Sequence, residues 1–131
     1  MTTPHTPKKS LGQNFLHDAS YIGRIVQAID PRPGDRVVEI GPGQGALTLP
    51  LLRRHGALTV IEFDRDLVGP LATMAQDVGA LEIIHRDVLQ VDFTALAAGT
   101  PFKLAGNLPY NISSPILFHA LDHAAAVRDM V

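Results

Sequence analysis

The feature that most constrains the fold is a regular alternation of short apolar runs with stretches of helical periodicity. The runs have the length of strands and lie near residues 36–40, 58–61, 81–84 and 102–105. Between them, apolar residues recur at helical spacing, as Leu67, Leu71 and Met74 do. Strands that alternate with helices form right-handed βαβ units, so the sequence predicts an α/β fold with an open, mostly parallel sheet.

The ends of several elements carry signals of their own. Asp18 is a good N-cap for a first helix, and Gly56 is the expected C-cap of the helix that follows the first strand. For residues 88–98 the sequence does not decide between a short helix and a loop. Ser114 predicts the start of another helix, and residues 129–131 predict the start of a fifth strand.

Composition excludes several classes of protein. The chain has no cysteine, which rules out a disulfide scaffold, a thiolate zinc site and a cysteine nucleophile. Its net charge of −2 argues against binding nucleic acid by bulk positive charge. His119 and His123 have metal-ligand spacing, but no third ligand suggests itself, so no metal is expected. No run is apolar enough to cross a bilayer, and we expect a cytoplasmic monomer.

A cluster of glycines follows the first predicted strand. The segment from Glu39 to Ala46 contains Gly41, Gly43 and Gly45, and glycines at a strand-to-helix turn let the backbone approach a ligand closely. Glu62 closes the next strand, where a carboxylate can accept hydrogen bonds from both hydroxyls of a ribose. The pattern therefore predicts a nucleoside site at the carboxyl ends of the strands.

The glycine loop alone leaves two cofactors open. Gly41, Gly43 and Ala46 also satisfy the dinucleotide fingerprint, so NAD and S-adenosylmethionine stand at even odds. An acid two residues before the first glycine, Glu39, is typical of methyltransferase loops. Asp87 is predicted to close the third strand, where a carboxylate can accept from the exocyclic amine of adenine. Both acids favour S-adenosylmethionine.

The fourth strand leads into Asn107-Leu108-Pro109-Tyr110-Asn111. The N6 amine of adenine is a poor nucleophile until hydrogen-bond acceptors hold its hydrogens and free its lone pair. Asn107 offers a side-chain oxygen, and the rigid Pro109 can aim a neighbouring backbone carbonyl. Tyr110 offers a face on which a base can stack. These residues are candidates for catalysis on an amino group.

Together these motifs resemble the ribosomal RNA adenine N6,N6-dimethyltransferases, and most of all the bacterial members that act on small-subunit RNA. The resemblance rests on Gly12-Gln13-Asn14-Phe15-Leu16, Glu39-Ile40-Gly41-Pro42-Gly43-Gln44-Gly45, Glu62-Phe63-Asp64, Asp87 and Asn107-Leu108-Pro109-Tyr110-Asn111. It implies a Rossmann-like class I S-adenosylmethionine-dependent methyltransferase. It also implies dimethylation of two adjacent adenines near the 3′ end of 16S rRNA, within the small ribosomal subunit.

The resemblance also implies roles for residues that bind the cofactor. Asn14 and Leu16 would cover it from the N-terminal segment, and Gly41 would lie under its methionine part. Glu62 would hold the ribose, and Asp87 would hold the adenine.

The same resemblance implies roles at the substrate side. Asn107 would touch the cofactor and bind the target amine, beside Pro109, while Tyr110 stacks on the target base.

Two other interpretations of the function stay open. One is a 23S rRNA adenine methyltransferase of the antibiotic-resistance type, and the other is a dinucleotide-binding oxidoreductase domain.

The expected domain organisation follows the family pattern. Residues 1–18 would form a segment that covers the cofactor, and residues 19–131 would form the N-terminal part of the catalytic domain. The sheet would be truncated before its last strands, without the helical C-terminal domain that binds RNA. We expect the fourth strand to lose a neighbour on one side as a result.

Overall fold

The structure is a computed structural model, and it describes residues 19–106 and 127–130. The helices are α1 (Ala19–Ile29), α2 (Thr48–His55), α3 (Arg65–Ala75) and α4 (Phe93–Ala97), with a 3₁₀ turn at Val88–Gln90. The strands are β1 (Val37–Ile40), β2 (Ala57–Glu62), β3 (Ala80–His85), β4 (Phe102–Gly106) and β5 (Val127–Met130). The expected alternation of strands and helices is confirmed.

The five strands form one parallel sheet in the order β3-β2-β1-β4-β5. The chain runs outward from β1 to β3 and then returns to place β4 on the other side of β1. Such a reversal leaves a crevice at the carboxyl ends of the two strands where ligands bind in open α/β sheets. The expected Rossmann-like sheet is confirmed, and its reversal point lies beside β1.

The two faces of the sheet bury separate apolar clusters because side chains alternate along each strand. Val37 faces α1, α2 and α3, whose buried side chains form the larger cluster. Val38 faces the opposite cluster, which includes α4. There, the rings of Phe93 and Phe102 meet edge to face, with their centroids 5.6 Å apart. The packed layers hold the strand ends in fixed positions.

The expected C-cap of α2 is confirmed. Gly56 ends α2 in the left-handed region, with a φ of 87°, and its N–H donates to the carbonyl of Leu52 at 2.8 Å. Asp92 caps α4 by accepting from the N–H groups of Thr94 and Ala95. The segment 88–98 is therefore a 3₁₀ turn followed by a short helix. The helix expected from Ser114, like the Asp18 cap, lies outside the described residues.

The fifth strand differs from its expectation. It begins at Val127 rather than at residue 129, and it pairs in parallel with β4 from Phe102 to Leu104, with an irregularity after Phe102. The expectation that the fourth strand lacks a neighbour on that side was wrong. Three residue pairs join β5 to the first part of β4.

A buried lysine ties β4 to the first helix at the amino end of the sheet. The Nζ of Lys103 donates to the carbonyls of Ile29 and Asp30, each at 2.9 Å, and lies 3.2 Å from Asp35 Oδ2. The carbonyls belong to the end of α1, where the helix dipole favours a positive charge. Across the ranges 19–106 and 127–130, no helix is both long and apolar enough to cross a membrane.

Candidate cofactor site at the carboxyl edge of the sheet

The glycine loop joins β1 to α2 at the reversal point. The N–H of Gly41 donates to the carbonyl of Ile61 on the neighbouring strand, and the N–H of Gly45 donates to Pro42, both at 2.9 Å. Gly41, Gly43 and Gly45 all have positive φ, at 63°, 57° and 91°. Residues other than glycine rarely adopt this backbone conformation, so the loop depends on glycine for its shape.

The space around two of these glycines differs. A Cβ on Gly45 would lie 2.4 Å from the Cε of Met74, which shows that the loop packs closely on α3. A Cβ on Gly43 would meet no heavy atom of a described residue within 4 Å. The loop is thus supported on one side and open on the other, as an approaching ligand requires.

Glu62 links the loop to the end of β2. Its Oε1 accepts from the N–H of Gly43 at 3.1 Å, and its Oε2 accepts from the N–H of Asp64 at 2.9 Å. The residue is only 7% exposed, so these bonds hold the carboxylate in one orientation. Each carboxylate oxygen has two acceptor positions, which leaves one on each oxygen for a ligand hydroxyl.

Asp87 lies beyond the end of β3, the neighbour of β2, and does not close that strand as expected. Strand β3 ends at His85, so Asp87 comes two residues later, where its Oδ1 accepts from the N–H of Leu89 at 3.0 Å and caps the 3₁₀ turn. Between them, the N–H of Arg86 donates to the carbonyl of Glu62 at 3.1 Å. The two acids are therefore carried on neighbouring segments of the same edge.

Two exposed apolar side chains accompany these acids. Phe63, directly after Glu62, is 71% exposed, and Leu89, two residues after Asp87, is 44% exposed. They are the large hydrophobic side chains that remain exposed among the described residues. Sequence reasoning assigned neither a role in binding, although each lies within two residues of a candidate acid.

Glu39 is a buried carboxyl at the base of the loop. It is 2% exposed, and the hydroxyl of Thr48 donates to its Oε1 at 2.6 Å. Burial raises the pKa of Glu39 to about 7, although the bond from Thr48 opposes the rise, and the charge of Glu62 adds to it. Sequence reasoning used Glu39 as a mark of the loop type and gave it no partner.

The remaining candidate residues lie outside the described part of the chain. These are Asn14, Leu16, Asn107, Pro109 and Tyr110. The described backbone leads to one of them, because Gly106, which precedes Asn107, pairs with Ile40, which precedes Gly41. His119 and His123 also lie outside. Within residues 19–106 and 127–130, no group of three His, Asp or Glu residues is placed to hold a metal ion.

Comparison with known proteins agrees with this geometry. The sequence profile of the family described as "Ribosomal RNA adenine dimethylase" matches residues 4–131. A relative from Xanthomonas euvesicatoria pv. vesicatoria (strain 85-10), named "Ribosomal RNA small subunit methyltransferase A", is 78% identical over 123 residues. That match covers 94% of this chain and 47% of the relative, so the chain spans about half the length of its curated relatives.

Solved structures share the fold. The 23S rRNA methyltransferase ErmE superimposes with a TM-score of 0.76 at 32% identity, covering 89% of this chain and 47% of that one. An RNA methyltransferase from Salinibacter ruber in complex with S-adenosyl-L-homocysteine superimposes with a TM-score of 0.60 at 25% identity, covering 77% of this chain and 67% of that one. The fold is that of the class I methyltransferases, and this chain belongs to the ribosomal RNA adenine dimethylase family.

Proposed function

We propose that this chain carries the cofactor-binding and catalytic part of a cytoplasmic S-adenosylmethionine-dependent enzyme. The enzyme dimethylates the N6 amines of two adjacent adenines near the 3′ end of 16S rRNA during small-subunit biogenesis. One observation carries the proposal. Glu62, at the end of β2 next to the reversal point of the sheet, accepts a hydrogen bond from the N–H of Gly43 in the glycine loop. The 78% identical relative named for the small subunit supports this RNA substrate.

The described residues fit the nucleoside part of this cofactor. Glu62 keeps free acceptor positions for the two ribose hydroxyls, and Asp87 keeps its second oxygen for the adenine amine. Phe63 and Leu89 offer apolar surface next to these acids, which suits the faces of a purine. Gly41 would lie under the methionine part.

The N-terminal segment completes the proposed cofactor site. Asn14 and Leu16 would cover the cofactor from residues 1–18, which we propose as a covering segment. When bound, the cofactor supplies an electrophilic methyl group on a positively charged sulfur. The work left to the protein is to position the acceptor amine and to exclude water.

Catalysis is assigned to residues 107–110. Asn107 would accept a hydrogen bond from the N6 amine and free its lone pair for in-line attack, with Pro109 holding the turn. Tyr110 would stack on the target base, which has to leave its helix before N6 is accessible. The Asn107 amide is neutral and is a poor base, so the proton leaves after methyl transfer has made the nitrogen acidic.

Titration calorimetry with two cofactors tests the cofactor assignment. We expect the chain to bind S-adenosylmethionine and not NAD, because the family that its sequence matches transfers methyl groups to adenine and needs a methyl donor. Binding of NAD with no binding of S-adenosylmethionine would instead support a dinucleotide-binding oxidoreductase domain.

The similarity to ErmE makes a 23S rRNA substrate the second candidate. A protein of the length of the curated relatives should be incubated with labelled cofactor and either small ribosomal subunits or protein-free 23S rRNA. We expect label in the small subunit. Label in 23S rRNA alone would support the second candidate, and subunit binding without label would support a non-enzymatic assembly factor.

A further inference from the structure

The base of the glycine loop is closed by a pair of buried side chains. Glu39 lies two residues before Gly41, and Thr48 is the first residue of α2, so their hydrogen bond joins the two ends of the loop. Both side chains are buried, at 2% and 0% exposure, and the bond is 2.6 Å long. A bond this short between buried partners restricts the distance between β1 and α2.

Helix α2 lacks the usual means of fixing its start. Its N-cap residue is Leu47, which has no side chain able to accept from the first N–H groups, and its first turn holds no acidic residue. Instead, the carboxyl group of Glu39, on β1, accepts a hydrogen bond from the hydroxyl of Thr48, the first residue of the helix. The bond from Thr48 to Glu39 thus ties the first turn to β1, in addition to the backbone bond from the N–H of Leu49 to the carbonyl of Gly45 at 3.1 Å.

The loop is also held from its other side. Glu62 accepts from the N–H of Gly43 in the middle of the loop, while Glu39 acts at its base. Replacing Glu39 by an apolar residue would leave the Thr48 hydroxyl buried without this partner, which is unfavourable. Considering packing alone, an apolar side chain would fill this space at a lower free-energy cost than a buried carboxyl group. Packing alone therefore does not account for Glu39.

We propose that Glu39 is a positioning residue, which through Thr48 sets the start of α2 and the shape of the loop that receives the cofactor. The inference rests on the proposed function of that loop. Its action requires an acceptor oxygen and not a negative charge. Glutamine therefore preserves the role, whereas leucine removes it.

The experiment compares two pairs of variants by titration with S-adenosylmethionine. Glu39→Gln and Thr48→Ser keep the hydrogen bond, and we expect cofactor affinity within about twofold of the parent. Glu39→Leu and Thr48→Val remove it, and we expect affinity about tenfold lower, from one unpaired buried group. Thr48→Val is a small change that keeps the test available if Glu39→Leu does not fold.

A stability control separates positioning from general loosening. Val26→Ala removes buried apolar volume from α1 but leaves the hydrogen bonds of Glu39 and Glu62 in place, so it should lower the melting temperature without changing cofactor affinity. Amide hydrogen exchange gives a second readout that needs no cofactor. Exchange at Gly43 and Gly45 should quicken in Glu39→Leu and Thr48→Val and stay at the parent rate in Val26→Ala.

The outcomes distinguish this inference from the proposed function. If Thr48→Val binds S-adenosylmethionine as tightly as the parent, Glu39 does not position the site, and the proposed function stands. If Glu39→Gln loses as much affinity as Glu39→Leu, the charge matters and the positioning role is wrong. If the parent binds no S-adenosylmethionine yet loop exchange responds as expected, the proposed function fails and the loop restraint is supported.

Discussion

At the scale of single residues, two buried carboxyl groups lie at the candidate site and have different partners. Glu62 accepts from two backbone N–H groups, whereas Glu39 accepts from one hydroxyl. Backbone N–H groups stabilise a carboxylate and fix its direction, which suits a group that has to meet a ligand. A single hydroxyl compensates less for burial, which suits a group that acts within the protein.

Replacing Glu62 by alanine is expected to weaken S-adenosylmethionine binding on the order of a hundredfold, through loss of two charged hydrogen bonds to the ribose. The matched control is Glu82→Ala, a strand carboxyl whose partners are Arg36 and Thr59. Titration calorimetry should show parent affinity for the control. Equal affinity in Glu62→Ala and the parent would remove Glu62 from the site.

Stability should depend on pH through Glu39. Its pKa is about 7 in the folded protein and near the ordinary 4.5 when unfolded, so between these values the folded state holds a proton that the unfolded state has released. The free energy of unfolding therefore falls as pH rises from about 5 to 8, by on the order of 3 kcal/mol. Below pH 4.5 Glu39 is protonated in both states, and its full stabilising contribution to the folded protein is present.

Denaturant unfolding of the parent and Glu39→Gln over that pH range checks the prediction. The difference in unfolding free energy between the two proteins isolates Glu39 from other titrating groups. We expect the parent to lose stability relative to Glu39→Gln as pH rises. A difference that stays constant with pH would mean that the buried carboxyl does not change protonation.

At the scale of elements, the two ends of the parallel strands carry different kinds of residues. The carboxyl edge carries the glycine loop and Glu62. The amino edge carries Lys103, whose three acceptors belong to the end of α1 and the segment after it. Substitutions at the two edges should therefore have different effects.

Lys103→Met should lower the free energy of unfolding by about 3 kcal/mol, because it leaves Asp35 and two carbonyls without the cation that they share. Cofactor affinity should remain that of the parent wherever the variant is folded. Denaturant unfolding and calorimetry measure the two quantities. A large loss of affinity at full folding would mean that the edges are coupled.

Two glycines with nearly equal φ provide a matched pair. Gly56 and Gly45 have φ of 87° and 91°, but a Cβ on Gly56 has no described neighbour within 4 Å, whereas one on Gly45 meets Met74. Gly56→Ala should cost about 1–2 kcal/mol of stability from backbone strain. Gly45→Ala should cost more stability, because the new methyl group would clash with Met74, but only somewhat more, because the flexible end of Met74 can shift. Only Gly45→Ala should weaken cofactor binding.

Melting temperature and calorimetry on both variants check this difference. The shared strain cancels in the comparison, so the remainder reports how closely the loop packs on α3. If both variants bind S-adenosylmethionine equally well, the close packing at Gly45 is a matter of stability alone.

At the scale of the whole molecule, the reversal of strand order brings segments that are distant in sequence to one edge. Strand β4 pairs with β1, so the backbone at Gly106 arrives beside the glycine loop. In the proposed function, residues 107–110 continue from there to the target base. Under that proposal, cofactor binding and chemistry would share one edge, whereas most RNA affinity would come from phosphate contacts elsewhere.

Asn107→Ala, in a protein of the length of the curated relatives, is expected to slow methyl transfer on the order of a hundredfold, because the amide acts on the reacting nitrogen. Affinity for small ribosomal subunits should change little. Single-turnover kinetics and subunit binding measure the two effects. A proportional loss of binding with an unchanged rate would contradict the role in orienting the amine.

Local sequence by itself determined the first four strands, the glycine loop and the Gly56 cap, because capping, turns and periodicity depend on neighbours within a few residues. Only the tertiary structure decided that Thr48 bonds Glu39, that Gly43 bonds Glu62 and that Lys103 holds the end of α1. It also placed Asp87 beyond the end of β3 and gave β4 a neighbour in β5. These features depend on strand order and register, which are set by packing between segments up to 74 residues apart and leave no local pattern.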